Sequence, residues 1–347
     1  MARALDLAVT PGVPFGPNPR VGCVLLAPDG TTLAEGHHAG AGTPHAEVDA
    51  LSRACGRVHG ATAVVSLEPC AHTGRTGPCV TALIDAGVSR VVYAQRDPNP
   101  VASGGAPVLR AAGVDVAGGL LDECAAYVNR AWAFGIEHHR PLVTWKFAAT
   151  LDGRSAAADG TSRWISSPAA RVDSHRLRAQ CDTILVGTGT VLGDDPELTV
   201  RDDQNRPLPR EHQLLRVVMG LRPVPEDRRI RNAEADTVVL ATRDPAEVLA
   251  ELFDRGRRHV FLEGGPTLAA AFVCAGLVDE VVGYVAPMML GAGRSAVGDL
   301  GIDTIADALH LGVQEVAVLG SGADTNVRLT MAPQRPITQA EPAQRED

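Results

Sequence analysis

The sequence predicts an α/β protein of two consecutive domains, and three observations predict it. Apolar, strand-like runs alternate with helix-like stretches through both halves. The alternation breaks at His138-His139-Arg140-Pro141. The 347 residues suffice for two cores, and 45% of them are hydrophobic against 21% charged. We assign one domain to residues 1–140 and a second to 141–332, and read the polar, Pro-rich 333–347 as a disordered tail. Aromatic residues are only 3%, so Val, Leu, Ala and Ile must build the cores.

Ala4, Leu5, Leu7 and Ala8 suit a short helix ending before Pro11-Gly12. Residues 21–27 read as a strand, 28–30 (Pro-Asp-Gly) as a turn and 31–35 as the returning hairpin strand. Thr43 followed by Pro44 predicts an N-cap and first helical residue, which puts His45 and Glu47 in the helix's first turn. A strand follows at 63–67. Pro78 opens a helix with Val80, Leu83 and Ile84 at core spacing. A strand at 88–94, a helix at 107–112, a strand at 114–117 and a helix at 122–136 complete the first half. In the second half strands are predicted at 141–147, 183–187, 215–219, 237–241, 259–263, 281–286 and 326–331, with helices at 168–180, 245–256 and 266–276. No internal repeat is present.

Composition excludes several classes of function. The net charge is −9 and no basic stripe stands out, so no nucleic-acid partner is expected. The arginines near 228–231 and 255–258 are interleaved with acids and read as solvated surface. No run of 18 apolar residues exists, so no membrane partner is expected, and no secretory leader pattern appears. Seven cysteines, an odd number, point to a reducing cytoplasm and to thiols used as ligands or core residues.

His-Ala-Glu at 45–47 is followed by Pro-Cys at 69–70 and again at 78–79. A hydrolytic zinc site needs three protein ligands and one open corner, and His45, Cys70 and Cys79 can supply them. Zinc acidifies a bound water, and Glu47 can move protons beside it without ligating. Zinc nucleobase deaminases use this pattern, with the two cysteines closer together. Here eight residues separate them, so the excursion after Cys70 reads as a substrate loop. Two alternatives stand beside this reading: a closed structural zinc with His72 as fourth ligand, and two thiols that are merely buried apolar groups. Cysteines 23, 55, 124, 181 and 274 lie in apolar stretches and read as core.

The stretches PNPRVGCV (17–24), GHHAGAGTPHAEVDAL (36–51), SLEPCAHTGRTGPC (66–79) and RDPNP (96–100) resemble the deaminase half of the bifunctional riboflavin-biosynthesis deaminase/reductase family. KFAATLDG (146–153), SRWIS (162–166), the run at 177–201 and LEGGPTLAAAF (262–272) resemble its reductase half. The resemblance covers roughly residues 1–331. It implies a cytidine-deaminase-like three-layer α/β/α domain followed by a dihydrofolate-reductase-like α/β domain. It implies Zn2+ and NADPH as cofactors, a small phosphorylated pyrimidine as substrate, and a homo-oligomer, dimer or tetramer. The implied chemistry is deamination of a diaminopyrimidinone ribosylamino phosphate to the uracil, then reduction of the ribosyl to a ribityl chain.

By this match His45, Cys70 and Cys79 are the zinc ligands, Glu47 is the proton shuttle and Asn18 contacts the base, with His37 and His38 near the cavity. Ser162, Arg178, Leu198, Arg201 and Glu263 match substrate contacts, the arginines suiting a ribose phosphate. Ala148, Trp164, Thr190, Asp194, Gly265, Pro266 and Thr267 match cofactor contacts. Gly264-Gly265-Pro266, between a strand and a helix, offers backbone N–H groups to an anion. Lys146 and Asp152 flank the expected reduction centre and can position hydroxyls or donate a proton. GTGTVL at 187–192 lacks the third glycine of a dinucleotide fingerprint, so the fold is not read as Rossmann. No arginine is singled out to read the 2′-phosphate of NADPH. Thr150 and Gly77 depart from the family's usual Ser and Pro. Other readings are a deaminase with an inactive reductase-like scaffold, a tRNA-type deaminase, and a zinc-stapled binding module. Retained Lys146, Asp152, Asp194-Asp195 and Glu263 argue against the first, and the acidic balance against the second.

Overall fold

Apolar runs become central strands here because those strands are buried on both faces. In a computed structural model that describes residues 1–72 and 77–334, the chain divides into two compact units, Met1–His139 and Arg140–Asp347. Most of the predicted tail, 335–347, lies outside the described residues, as does 73–76 of the predicted substrate loop.

The first unit runs α1 (Ala2–Ala8), β1 (Gly22–Leu26), β2 (Thr32–His37), α2 (Ala46–Arg53), β3 (Thr62–Leu67), α3 (Cys79–Asp85), β4 (Arg90–Gln95), α4 (Gly105–Ala111), β5 (Asp115–Gly118), α5 (Asp122–Val128) and α6 (Arg130–His138). Its five-stranded sheet has the order β2-β1-β3-β4-β5. β1 is antiparallel to β2 and β3, while β3, β4 and β5 are parallel. Leu25, Val65, Leu83, Val91 and Leu109 are fully buried in its core. Helix α2 lies directly on β2: a Cβ at Gly36 would sit 2.4 Å from the Ala50 amide nitrogen, so only glycine admits this approach.

Three sequence expectations need correction, two in this unit and one that spans both. Thr43 is not an N-cap; its hydroxyl donates to the Gly40 carbonyl at 2.7 Å, closing a turn. The N-cap is His45, in extended conformation, and the helix starts at Ala46. The single helix over 122–136 is two helices, broken at Asn129. Its buried side chain is committed elsewhere: Oδ1 accepts from the Arg20 amide (2.8 Å) and Nδ2 donates to the Arg20 carbonyl (3.0 Å). Of the five cysteines expected in the core, Cys23 and Cys181 are buried, but Cys55, Cys124 and Cys274 are exposed. Apolar neighbours in sequence do not decide which face of a helix, or which side of a turn, a thiol takes.

The second unit runs β6 (Leu142–Thr150), β7 (Arg154–Ala156), α7 (Pro168–Arg178), β8 (Thr183–Gly187), α8 (Thr188–Asp194), β9 (Leu215–Met219), β10 (Thr237–Leu240), α9 (Pro245–Asp254), β11 (His259–Leu262), α10 (Pro266–Cys274), β12 (Glu280–Ala286), β13 (Arg294–Ser295), β14 (Leu311–Leu319) and β15 (Asn326–Pro333). The eight-stranded sheet has the order β10-β9-β8-β11-β6-β12-β15-β14, and β7 pairs with β13 in a small ribbon. Strands β10 through β12 are parallel; β15 is antiparallel to both its neighbours. The period of two sorts side chains onto two cores. Leu185, Val217 and Leu262 face one, Ile184, Val218 and Phe261 the other.

Four elements of this unit carried no sequence signal. Helix α8, with glycines at 189 and 193, receives no element from the sequence, yet it docks through the fully buried Val191. β14 is an edge strand with Val313, Val316 and Val318 exposed, so burial imposes no alternation on it. β7 and β13 are only three and two residues long. Pro333, placed in the tail by sequence, ends β15. Among the described residues no helix is long and apolar enough to cross a membrane.

Candidate active sites

In the first unit the parallel strands β3 and β4 deliver their C-terminal ends to one cavity, the usual place for a site in such a sheet. Cys70 follows β3, Asp97 follows β4, Cys79 opens α3, and His45 caps α2. The donor atoms of His45, Cys70 and Cys79 all lie within 4.8 Å of one another. His45 Nδ1 is 3.2 Å from Cys79 Sγ and 3.6 Å from Cys70 Sγ. Ligands on one tetrahedral zinc sit roughly 3.5–3.8 Å apart, so one imidazole and two thiols fit that ion. His72 lines the cavity but is not part of the donor cluster, which among the described residues has three members. The arrangement is therefore the open kind, with a corner left for water.

With no ion between them the two thiols share a hydrogen bond: the Cys79 thiol and the His45 imidazole lower Cys70, against the cost of burial. Cys79 is pushed up, since it donates to Cys70 and is buried. The Cys79 amide also points at Cys70 Sγ, at 3.5 Å. Glu47, 3% exposed on the first turn of α2, is raised to about 6 by burial. A carboxyl near that value both takes and returns protons at neutral pH.

The cavity holds about 420 Å³. Asn18 lines it, its Nδ2 donating to His38 Nε2 at 2.9 Å, while His38 Nδ1 donates to the Pro44 carbonyl at 2.9 Å. This chain of bonds leaves Asn18 Oδ1 as an acceptor for a base edge. His38 is 3% exposed and lines the cavity; His37 does not line it. Glu68, Asp97, Asn99 and Trp132 also line it and were not singled out from sequence. The signal was present in Asp-Pro-Asn after a parallel strand: Asp97 Oδ1 accepts the Asn99 amide at 2.8 Å in a tight turn. Burial raises Asp97 to about 6. Glu68 Oε1 accepts the Ala106 amide at 2.9 Å. A Cβ at Gly105 would fall 1.8 Å from the Pro69 carbonyl oxygen, so the segment entering Cys70 rests on bare backbone.

In the second unit the C-terminal ends of β8, β9, β10 and β11, with Phe147 of β6, border a cleft of about 1190 Å³. Ser162, Arg178, Leu198 and Glu263, from the expected substrate set, line it. So do Thr190, Asp194, Gly265, Pro266 and Thr267 from the expected cofactor set. Gly265 caps α10 without a side-chain hydrogen bond and Pro266 is its first residue; the Leu268 amide turns back to the Gly265 carbonyl, which leaves the Gly265 and Thr267 amides at the helix start. Lys146, Ala148, Asp152, Trp164 and Arg201 stand outside this lining.

Glu263 is the centre of charge. Arg178 grips it with two bonds, 2.7 Å and 2.9 Å, and Lys146 Nζ lies 3.9 Å away. Burial pushes the Glu263 carboxyl up, but the charges of Arg178 and Lys146 outweigh it and hold it down at about 2. Burial lowers Lys146. His175, one turn before Arg178, falls to about 4 through burial and the Arg178 charge, and its Nδ1 has no partner among the described residues. Arg201 pairs with Glu197, so both forks expected for a phosphate are engaged by carboxylates here. Asp152 accepts the Thr150 hydroxyl at 2.5 Å and the Gly291 amide at 2.6 Å, tying the turn after β6 to the segment after β12. Trp164 is 64% exposed, with the Arg171 guanidinium 4.3 Å over its ring.

Comparison with known proteins matches one family model to each unit. Residues 1–95 match the family described as cytidine and deoxycytidylate deaminase zinc-binding region, and residues 141–324 match the RibD C-terminal domain. The chain is 50% identical over 305 residues to the riboflavin biosynthesis protein RibD of Mycobacterium tuberculosis, covering 88% of this chain and 89% of that one. It is 41% identical to the Escherichia coli protein of the same name over 352 residues, 92% and 96% of the two chains. Among solved structures, RibD of Acinetobacter baumannii superposes with a TM-score of 0.83 at 35% identity, over 96% and 98% of the chains. A Thermotoga maritima diaminohydroxyphosphoribosylaminopyrimidine deaminase/5-amino-6-(5-phosphoribosylamino)uracil reductase superposes equally, 0.83, at 31% identity, over 96% and 97%. A zinc-deaminase unit followed by a reductase unit, matched over nearly its whole length, places this chain in the RibD family of bifunctional riboflavin-biosynthesis enzymes.

Proposed function

We propose that the first unit hydrolyses 2,5-diamino-6-(5-phosphoribosylamino)pyrimidin-4(3H)-one to the corresponding uracil, and that the second reduces its ribosyl to a ribityl chain with NADPH. The observation that carries the reading is the His45–Cys70–Cys79 triangle with buried Glu47 opening on the same cavity. Zinc held by those three residues would supply the Lewis acidity that brings a water's pKa toward neutrality. Glu47 takes a proton from the attacking water and delivers it to the ring nitrogen beside the amino-bearing carbon. It then passes the second proton to the departing amine, and ammonia leaves. Asn18, fixed by His38, accepts from the pyrimidine edge.

In the second unit NADPH would supply the hydride, delivered to the ring-opened sugar at C1′. The Gly265 and Thr267 amides at the start of α10 suit its diphosphate. Glu263 and Lys146 act together: the carboxylate orients sugar hydroxyls, and the buried amine, kept low by its surroundings, gives the sugar nitrogen its proton. Asp152 orders the turn behind them rather than touching the sugar. The test incubates purified protein with the diaminopyrimidinone phosphate, with and without NADPH. Ammonia is expected in both arms and loss of nicotinamide absorbance in one. Ammonia without any NADPH consumption would leave a deaminase carrying an inactive scaffold.

A further inference from the structure

The coenzyme cleft contains two arginines that no carboxylate claims. Arg222 follows β9 and Arg243 follows β10. The two strands are parallel neighbours with Met219 paired to Leu240, so each arginine stands three residues beyond a paired position. Both line the cleft, as does Thr242. Among the described residues neither guanidinium makes an ion pair or hydrogen bond. The nearby acids are occupied: Asp244 caps α9 through the Ala246 amide at 2.9 Å, and Glu247 accepts the Thr242 hydroxyl at 2.6 Å. The Arg222 Nη2 rests 3.2 Å from where a Cβ at Gly189 would be, so it folds over the start of α8. By contrast Arg178 is spent on Glu263, and Arg201 and Arg229 on Glu197. Arg294 also lines the cleft, but it belongs to the β7–β13 ribbon that follows β6, four strands from β10.

We propose that Arg222 and Arg243 bind the 2′-phosphate of the coenzyme and make the second unit select NADPH over NADH. This rests on the reductase reading given above. Strands stand ~4.8 Å apart, so the end of β10 lies roughly 14 Å, three strands, from the end of β11 where α10 begins. A diphosphate on the first turn of α10 with its nicotinamide toward β6 sends the adenosine ribose the other way, toward β9 and β10. A free 2′-hydroxyl is read by a carboxylate acceptor at such a strand end. Here both strand ends present guanidinium forks, whose geometry matches phosphate oxygens.

The test titrates the full-length chain calorimetrically with 2′,5′-ADP, 5′-AMP, NADPH and NADH. The proteins are the parent, Arg222→Ala, Arg243→Ala, the double variant and the two Arg→Lys variants. The parent is expected to prefer 2′,5′-ADP over 5′-AMP. Each alanine should weaken 2′,5′-ADP about tenfold, the double variant should erase the preference, and lysine should restore part of it. Affinity for 5′-AMP should stay the same, which also shows that the cleft is intact. A preference that survives in the double variant overturns the assignment. Equal binding of NADPH and NADH by the parent overturns it too, and leaves the reductase reading standing. Failure of every nucleotide to bind the parent sinks the reductase reading and the assignment together.

Discussion

Glu263→Gln isolates the charge that the second unit is built around. The parent carboxyl is held at about 2, against an ordinary value of 4.5. That difference corresponds to roughly 3 kcal/mol of folded-state stabilisation. Glutamine keeps the shape and one acceptor but leaves Arg178 and Lys146 without a counter-charge, a change that costs about 3–5 kcal/mol in buried pairs. Because the folded-state value lies below the unfolded one, the stabilisation is complete above about pH 4.5 and fades as pH falls toward 2. Urea unfolding of parent and variant is followed by tryptophan fluorescence at pH 7, 5, 4 and 3. Trp145, buried on β6 beside β11, reports on this unit. The stability gap should be about 3 kcal/mol at pH 7 and close by more than half at pH 3. A gap that is constant across that range, or below about 0.5 kcal/mol at pH 7, would refute the ion cluster as an energetic unit.

Three perturbations of the first unit probe the metal centre. Glu47→Gln should keep its zinc, measured by metal analysis, and lose ammonia release by on the order of 10² to 10⁴. Stripping zinc with a chelator should abolish ammonia release and leave NADPH-dependent reduction of the uracil intermediate intact, with activity restored by added zinc. Gly105→Ala forces a Cβ onto the Pro69 carbonyl, 1.8 Å away, and so displaces Cys70; zinc should be lost to a chelator at lower concentrations than in the parent.

The metal site was legible because its chemistry needs residue types that composition rarely supplies by chance. A His-x-Glu and two Pro-Cys pairs constrain the reading, and the structure gathers His45, Cys70 and Cys79. Long parallel strands were legible for the same reason their cores are, an unbroken apolar run. What escaped depends on contacts remote in sequence. Asn129 reads as one more helical residue until Arg20 appears beside it. Gly187 and Gly189 make the 187–192 run look loose, and only the burial of Thr188 and Val191 between them and beyond makes it α8. Arg178 and Arg201 looked free for a phosphate because Glu263 and Glu197 are not visible as partners in one dimension.

The clamp between Asn129 and the Arg20 backbone joins positions 109 residues apart in sequence. The loop that carries Asn18 therefore takes its place only when the start of α6 has arrived, and Trp132 and Ile136 of that helix complete the cavity wall. The three donors proposed for zinc are all present by residue 79. The proposed metal site and the proposed base pocket are thus completed by different stretches of the chain, the second by a helix that lies beyond the stretch matched as the zinc-binding region, 1–95. A piece cut after β5 would keep all three proposed metal donors and lack this part of the cavity wall.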